Sequence, residues 1–155
     1  MSINKILAAL KIAGALLLIT YSLNAQDVKG KLATAKSIKC TFSLMSVGTW
    51  GPQTEAKVKP ANLVLQFEGI NADEGTARLE SGFGKYDINV RYAGGYLHLI
   101  QSFLDGPLYT TTVLEKQTTG GKLKAMHSRH EFTDFALPGY TSSPEQYYGE
   151  CEILN

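Results

Sequence analysis

Hydrophobic and polar residues alternate with a period of two along most of the chain between Cys40 and Cys151. This alternation is typical of β-strands that bury one face. It is clearest at 63–68, 86–92, 96–101, 108–115 and 122–131, with a short strand at 76–80 and strand-like segments around the two cysteines. The pattern predicts about eight strands, mostly in sequential antiparallel order.

Glycine-rich turns set the expected register of two hairpins. Glycines at 94–95 form a two-residue turn, which indicates a hairpin in which Leu97 and Leu99 share the core face. A second hairpin joins the strands on either side of the loop 116–121. Counting back from that loop pairs Thr110 with His127, and so places Thr110 and Thr112 on the face that carries His127.

Helix is expected at two places only, and both segments are short. Residues 27–36 could form one weak helix, although a glycine at position 30 lowers its propensity. The order Ser143, Pro144, Glu145, Gln146 resembles a helix start, with a cap residue, a proline and a capping-box glutamine. One or two short helical segments are therefore predicted in a chain of the all-β class.

An up-and-down β-barrel is the expected architecture, because closure removes the exposed edges of an open sheet. A β-sandwich is the alternative, since alternation does not distinguish the two. An outer-membrane barrel ranks third, because it needs strands of roughly 9 to 11 residues and most strands here look shorter.

The first 25 residues have the character of a secretory signal peptide. A region with Lys5 and Lys11 and no acidic residue precedes an apolar run that ends near Ala25. Cleavage would leave residues 26–155 as a single β-barrel-like domain. The alternative is an uncleaved anchor, which is the one route to membrane contact that the sequence suggests.

Two cysteines in an exported chain are expected to form a disulfide, because the compartment is oxidising. Cys40 and Cys151 lie 111 positions apart, which is unlike the close spacing of a redox pair. A bridge would tie the first strand to the last and so favour ring closure. The expected location is secreted or periplasmic.

Gly48, Thr49 and Trp50 resemble the Gly-x-Trp sequence that opens lipocalins and related barrels. The resemblance covers these three residues, and Gly51 and Pro52 follow with a turn where the family has a strand. It implies a barrel with an internal ligand, and no site residue is carried over from it.

Net charge argues against nucleic acid as a partner. The chain has 15 basic and 14 acidic residues, and removal of the signal segment would leave 13 basic and 14 acidic residues without a basic run. No sequence feature predicts an oligomeric state.

The residues that could carry chemistry are few. His127 and His130 have the spacing H-x-x-H, but residues three apart on a strand point to opposite faces, so no metal site is expected. Serine-nucleophile and phosphate-loop motifs are absent from the sequence. We therefore expect no cofactor and favour a protein that is not an enzyme.

One stripe is the candidate ligand-binding site. By the predicted register, Thr110, Thr112, His127, Arg129 and Glu131 fall on one face. If this face points inward, Arg129 needs an anionic partner, either Glu131 or a ligand carboxylate. If it points outward, the residues form a solvated stripe, which is the commoner situation and the one the composition favours.

Two functions remain as hypotheses. The first is an exported protein that binds a small apolar or amphiphilic ligand inside the barrel. The second is a structural or protein-interaction module of the cell envelope without a ligand pocket, which would act through an exposed apolar or aromatic patch.

Overall fold

The fold was analysed in a computed structural model, which describes residues 30–48, 56–82, 84–131 and 143–154. The predicted signal segment, Thr49 and Trp50 lie outside the described residues. One 3-10 helix, Lys31–Thr34, precedes eight strands. The strands are β1 (Ser37–Gly48), β2 (Ala56–Asn71), β3 (Thr76–Ser81), β4 (Gly84–Ala93), β5 (Tyr96–Ser102), β6 (Leu108–Gln117), β7 (Leu123–His130) and β8 (Glu145–Leu154).

The eight strands form a closed antiparallel up-and-down barrel, in which each strand pairs with its sequence neighbours and β8 pairs with β1. The prediction of an all-β barrel is confirmed, and the sandwich alternative is wrong. The β4–β5 register is also as predicted, with Val90 opposite Leu99 and Tyr92 opposite Leu97. Gly94 and Gly95 both have positive φ in the turn between them, a conformation that glycine adopts without strain.

The predicted disulfide closes the ring. Cys40 and Cys151 lie directly opposite each other on β1 and β8, and both side chains are 0% exposed. The bridge therefore lies inside the barrel and joins two strands that already share a hydrogen-bonded ladder. A buried disulfide of this kind indicates an oxidising environment outside the cytoplasm.

The inner face of the barrel is mostly apolar and the outer face is mostly polar. Lys39, Arg78, Asp87 and Glu152 are examples of charged residues that are exposed on outward positions. Five strands are ten residues or longer, so the expectation of shorter strands is wrong. The largest fully buried side chains include Ile38, Phe42, Phe67, Leu97, Leu99 and Val113.

The 3-10 helix caps one end of the barrel. Leu32 is 1% exposed, and its backbone N–H donates to Glu115 Oε1 at 3.2 Å. The Tyr92 hydroxyl donates to the other Glu115 oxygen at 3.1 Å, so one carboxylate ties the helix to β4 and β6. This helix fulfils the prediction at 27–36 within the described residues. No helix among those residues is long and apolar enough to span a membrane.

The prediction of a helical turn at Ser143–Gln146 is wrong, because β8 begins at Glu145. Glu145 pairs with Val47 of β1 and with Arg129 of β7. Ladder pairing on both sides outweighs a local capping pattern, whose contribution is about 1 kcal/mol.

Gly149 allows β8 to approach β1 closely beside the irregularity between Phe42 and Leu44. A Cβ atom placed on Gly149 would lie only 2.7 Å from Phe42 Cα and closer still to the Thr41 carbonyl oxygen. These contacts are to backbone, which cannot move without disturbing the ladder.

We expect Gly149→Ala to lower the free energy of unfolding by about 1–3 kcal/mol, as overpacking does elsewhere. Urea unfolding followed by circular dichroism measures the loss. Gly48→Ala is the matched control, because no atom of the described residues beyond its chain neighbours lies within 4 Å of a Cβ at Gly48. Equal effects of the two substitutions would contradict the steric explanation.

Candidate functional site

A cavity of about 240 Å³ opens at the end of the barrel opposite the 3-10 helix. Its first wall comes from β2 and β3 and is mostly apolar, with Asn62, Leu63, Val64, Leu65 and Leu79. Its second wall comes from the region of β5 to β7, with Gln101, Phe103, Tyr109, His127 and Arg129. Ser81, Gly82 and Tyr86 complete the lining, and Tyr86 is 36% exposed, which places part of the cavity at the surface.

The cavity exists because β2 is much longer than β3. The two strands have 16 and 6 residues, and their ladder ends at the pair Gln66 and Glu80. Beyond that pair, residues 56–65 keep β1 on one side and have no ladder partner on the other among the described residues. Exposed Lys59 and Pro60 on this stretch disfavour pairing with another chain. The unequal strand lengths leave a lateral opening into the barrel.

Arg129 projects inward and is enclosed by aromatic rings. Its guanidinium carbon lies 5.2 Å from the centroid of Tyr109 and 5.3 Å from that of Tyr147. The Nη1 atom is 4.0 Å from Glu145 Oε2, and the Arg129 side chain is 13% exposed. Cation–π contacts and a long ion pair therefore hold a positive charge at the cavity wall.

His127 is neutral and has a single tautomer. Its Nε2 accepts a hydrogen bond from Arg129 Nε at 3.3 Å, so the ring proton lies on Nδ1, which donates to Thr111 Oγ1 at 2.8 Å. Burial, together with the adjacent Arg129 charge, lowers the pKa of His127 from 6.5 to about 3. Both ring nitrogens are occupied by protein partners.

Hydrogen bonds to carboxylates hold two tyrosines in place at the second wall of the cavity. The Tyr147 hydroxyl donates to Glu145 Oε2 at 2.5 Å, and the Tyr109 hydroxyl donates to the buried Glu131. Burial first, and then the hydrogen bond to Glu145, raises the pKa of Tyr147 to about 12. Both rings are thereby held against Arg129.

Gln101 differs from its neighbours because its side chain has no hydrogen-bond partner among the described residues. It is 8% exposed and lines the cavity. A buried amide normally has partners for its donors and acceptor. The Gln101 amide is therefore available to a molecule inside the cavity.

The predicted site is brought together only in part. His127 and Arg129 line the cavity, and Glu131 is buried nearby. The expectation that these three residues form a solvated outer stripe is therefore wrong. Thr110 and Thr112 lie on the outer face, where the Thr112 hydroxyl is 3.0 Å from His98 Nδ1.

The predicted β6–β7 register is wrong by one residue, since Thr111 and not Thr110 lies opposite His127. Two features combine to give this shift. At the turn, Gln117 and not Leu114 lies opposite Leu123, which is a shift of three residues, and the irregularity between Val113 and Gln117 places two extra residues on β6 and reduces the shift to one. A shift of one residue moves every side chain to the other face, so Thr111 takes the inward position.

Sequence reasoning did not identify Gln101, Tyr109, Tyr147 or Glu145 as site residues. The signal for Gln101 was present, because it follows Leu97 and Leu99 in steps of two on the predicted core face. The inward position of Tyr109 depends on the β6–β7 register, and the position of Glu145 depends on β8 beginning where a helical turn was expected.

The H-x-x-H histidines point to opposite faces, as expected for a strand, with His127 buried and His130 exposed. Among the described residues, no group of three or more His, Cys, Asp or Glu side chains is placed to hold a metal ion. Comparisons with protein-family models, curated proteins and solved structures find no match to this chain. The cavity is therefore the feature of this protein from which a function can be inferred.

Proposed function

We propose that this protein is an exported binding protein that holds a small apolar or amphiphilic molecule inside its barrel. The observation that carries the proposal is the cavity of about 240 Å³, with apolar Leu63, Leu65 and Leu79 on one side and polar groups on the other. Small-molecule sites have this composition, with apolar walls and a few oriented polar groups. The predicted signal peptide at 1–25 supports secretion or a periplasmic location.

Cavity size sets the scale of the ligand. An apolar protein cavity of about 150 Å³ can bind benzene, whereas sites for drug-sized molecules usually have about 300–1,000 Å³. A volume of about 240 Å³ lies between these values. The ligand is therefore expected to be one ring or a short chain with a small polar group.

The state of His127 favours binding over catalysis. A general base needs an accessible lone pair and a pKa near the working pH. His127 uses its Nε2 lone pair to accept from Arg129, and its pKa of about 3 makes it a weak base at neutral pH. The histidine therefore serves to orient Arg129.

Binding of 1-octanol tests this proposal. Isothermal titration calorimetry of the purified protein is expected to show binding at one site. Leu63→Trp should reduce the affinity at least about tenfold, because the indole would occupy space in the cavity that Leu63 lines. Thr110→Trp is the matched control, because it adds the same ring on the outer face and should leave octanol binding unchanged.

The envelope-module alternative is favoured by one separate observation. Leu44 and Tyr148 are each 41% exposed and face each other across β1 and β8, next to the exposed Pro60 of β2. An exposed apolar row of this kind is typical of an interaction surface. Failure of the wild-type protein to bind octanol or an eight-carbon analogue with another head group, with no molecule co-purifying from the host, would reject the ligand-binding proposal and favour this alternative.

A further inference from the structure

We propose that the cavity is selective for a small organic carboxylate, whose anionic group is recognised by Arg129 and Gln101 and whose apolar body lies against β2 and β3. This inference rests on the proposed ligand-binding function and names the class of ligand. It follows from the hydrogen-bonding groups that the protein leaves available inside the cavity.

The Arg129 guanidinium has more donors than the protein uses. It carries five N–H groups, one of which donates to His127. Glu145 lies 4.0 Å from Nη1, which is close enough for an ion pair and too far for a hydrogen bond. The remaining donors have no acceptor among the described residues. A planar guanidinium with free donors matches the two oxygens of a carboxylate.

Gln101 supplies a second, independent observation on the same wall. The residue is 8% exposed and lines the cavity, and its side chain has no hydrogen-bond partner in the described part of the chain. The amide atoms keep some contact with solvent, since among the described residues the buried side-chain polar atom without a partner is Thr118 Oγ1, so a ligand oxygen can replace water at the Gln101 amide. Arg129 and Gln101 thus both present unused donors to the same space.

The charge of the cavity lining favours an anionic ligand over a cationic one. Of the described residues that line the cavity, Arg129 is the one that is ionised at neutral pH, because His127 is neutral. A ligand amine would therefore meet a like charge in a medium of low dielectric constant. Lys57 and Lys59 lie on the same face of β2 as Leu63 and are exposed, which adds positive potential near the opening.

A monoanion fits this charge better than a dianion. Arg129 already forms an ion pair with Glu145, so a carboxylate ligand would add one negative charge beside this pair, whereas a phosphate monoester would add two in a largely apolar cavity. The apolar wall of Leu63, Leu65 and Leu79 also requires that the rest of the molecule be hydrocarbon. A short-chain fatty acid or a single-ring aromatic acid meets both conditions.

Octanoate, octanamide and 1-octanol test the inference, because they share a chain and differ in the head group. Isothermal titration calorimetry at pH 7 is expected to show octanoate binding about ten- to a hundredfold more tightly than octanamide or octanol. Arg129→Gln should abolish this preference, because it removes the charge that distinguishes octanoate from the two neutral compounds. Arg78→Gln is the control, because it removes the same charge from the exposed outer face.

Gln101→Leu gives a second test that does not depend on folding of the Arg129 variant. It is expected to reduce the ratio of octanoate affinity to octanol affinity about three- to tenfold. Equal affinities of the wild-type protein for all three compounds would overturn the carboxylate assignment and leave the binding function standing. No binding of any of the three would overturn both proposals.

Discussion

Reduction of the Cys40–Cys151 disulfide is expected to lower the free energy of unfolding by about 4–5 kcal/mol, the largest single effect expected in this protein. The reason lies in the unfolded chain, because the bridge joins residues 111 positions apart and the entropy of closing a loop grows with its length. The folded barrel should survive reduction, since β1 and β8 remain paired along their length without the bridge.

Denaturant unfolding with and without a reducing agent measures this effect. The midpoint should fall on reduction, while far-ultraviolet circular dichroism in the absence of denaturant stays unchanged. The double variant Cys40→Ala, Cys151→Ala is the control, because it removes the bridge without leaving free thiols and should match the reduced protein to within about 1–2 kcal/mol. A midpoint that does not respond to reduction would contradict the entropic explanation.

Burial of the bridge has a kinetic consequence. Both sulfur-bearing residues are 0% exposed, so a reducing agent can reach them only after the barrel opens. The rate of reduction should therefore rise with denaturant in parallel with the rate of unfolding. Rapid labelling of two thiols in the native protein would show that the bridge is not formed.

The barrel could be predicted because its signals are local and agree with one another. Alternation identified the strands, the two-residue glycine turn at 94–95 fixed the β4–β5 register, and the two cysteines indicated that the first and last strands are close. Each of these signals depends on a few neighbouring residues or on one covalent bond. A fold can be predicted from the sequence when the alternation, the turn residues and the covalent links all indicate the same structure.

The site could be predicted only in part, because it depends on features that are not local. The β6–β7 turn and the irregularity between Val113 and Gln117 together shift the register by one residue from the predicted one, which places Thr111 and not Thr110 or Thr112 at an inward position. The cavity itself arises from the difference in length between β2 and β3, and alternation does not determine where a strand loses its partner.

Hydrogen bonds among the polar residues of the second cavity wall and its neighbours explain why these inward residues do not destabilise the barrel. His127, Thr111 and Arg129 form a connected series of hydrogen bonds, and Tyr109 and Tyr147 donate to Glu131 and Glu145. Buried polar groups are tolerated when they are satisfied in this way. The unused donors on Arg129 and the Gln101 amide are the exceptions, and they face the cavity where we place the ligand.

The second large effect is a loss of stability in acid that arises from His127. In the unfolded chain this histidine takes up a proton near pH 6.5, whereas in the barrel its pKa is lowered to about 3 by burial and by Arg129. Below pH 6.5 the unfolded state therefore binds more protons, and stability falls as the pH falls. The contribution of neutral His127 to the free energy of unfolding is complete above pH 6.5. About 2 kcal/mol of this contribution should be lost by pH 5.

Urea unfolding at pH 8 and pH 5 measures this loss, and the three histidines of the chain provide the controls. His127→Gln should remove about 2 kcal/mol of the pH dependence, whatever its effect on stability at pH 8. His98→Gln and His130→Gln should retain the wild-type dependence, because both side chains lie on the outer face. If His127→Gln retains the full dependence as well, the loss comes from other groups. Nuclear magnetic resonance gives an independent check, since the His127 ring signals should not titrate between pH 8 and pH 5.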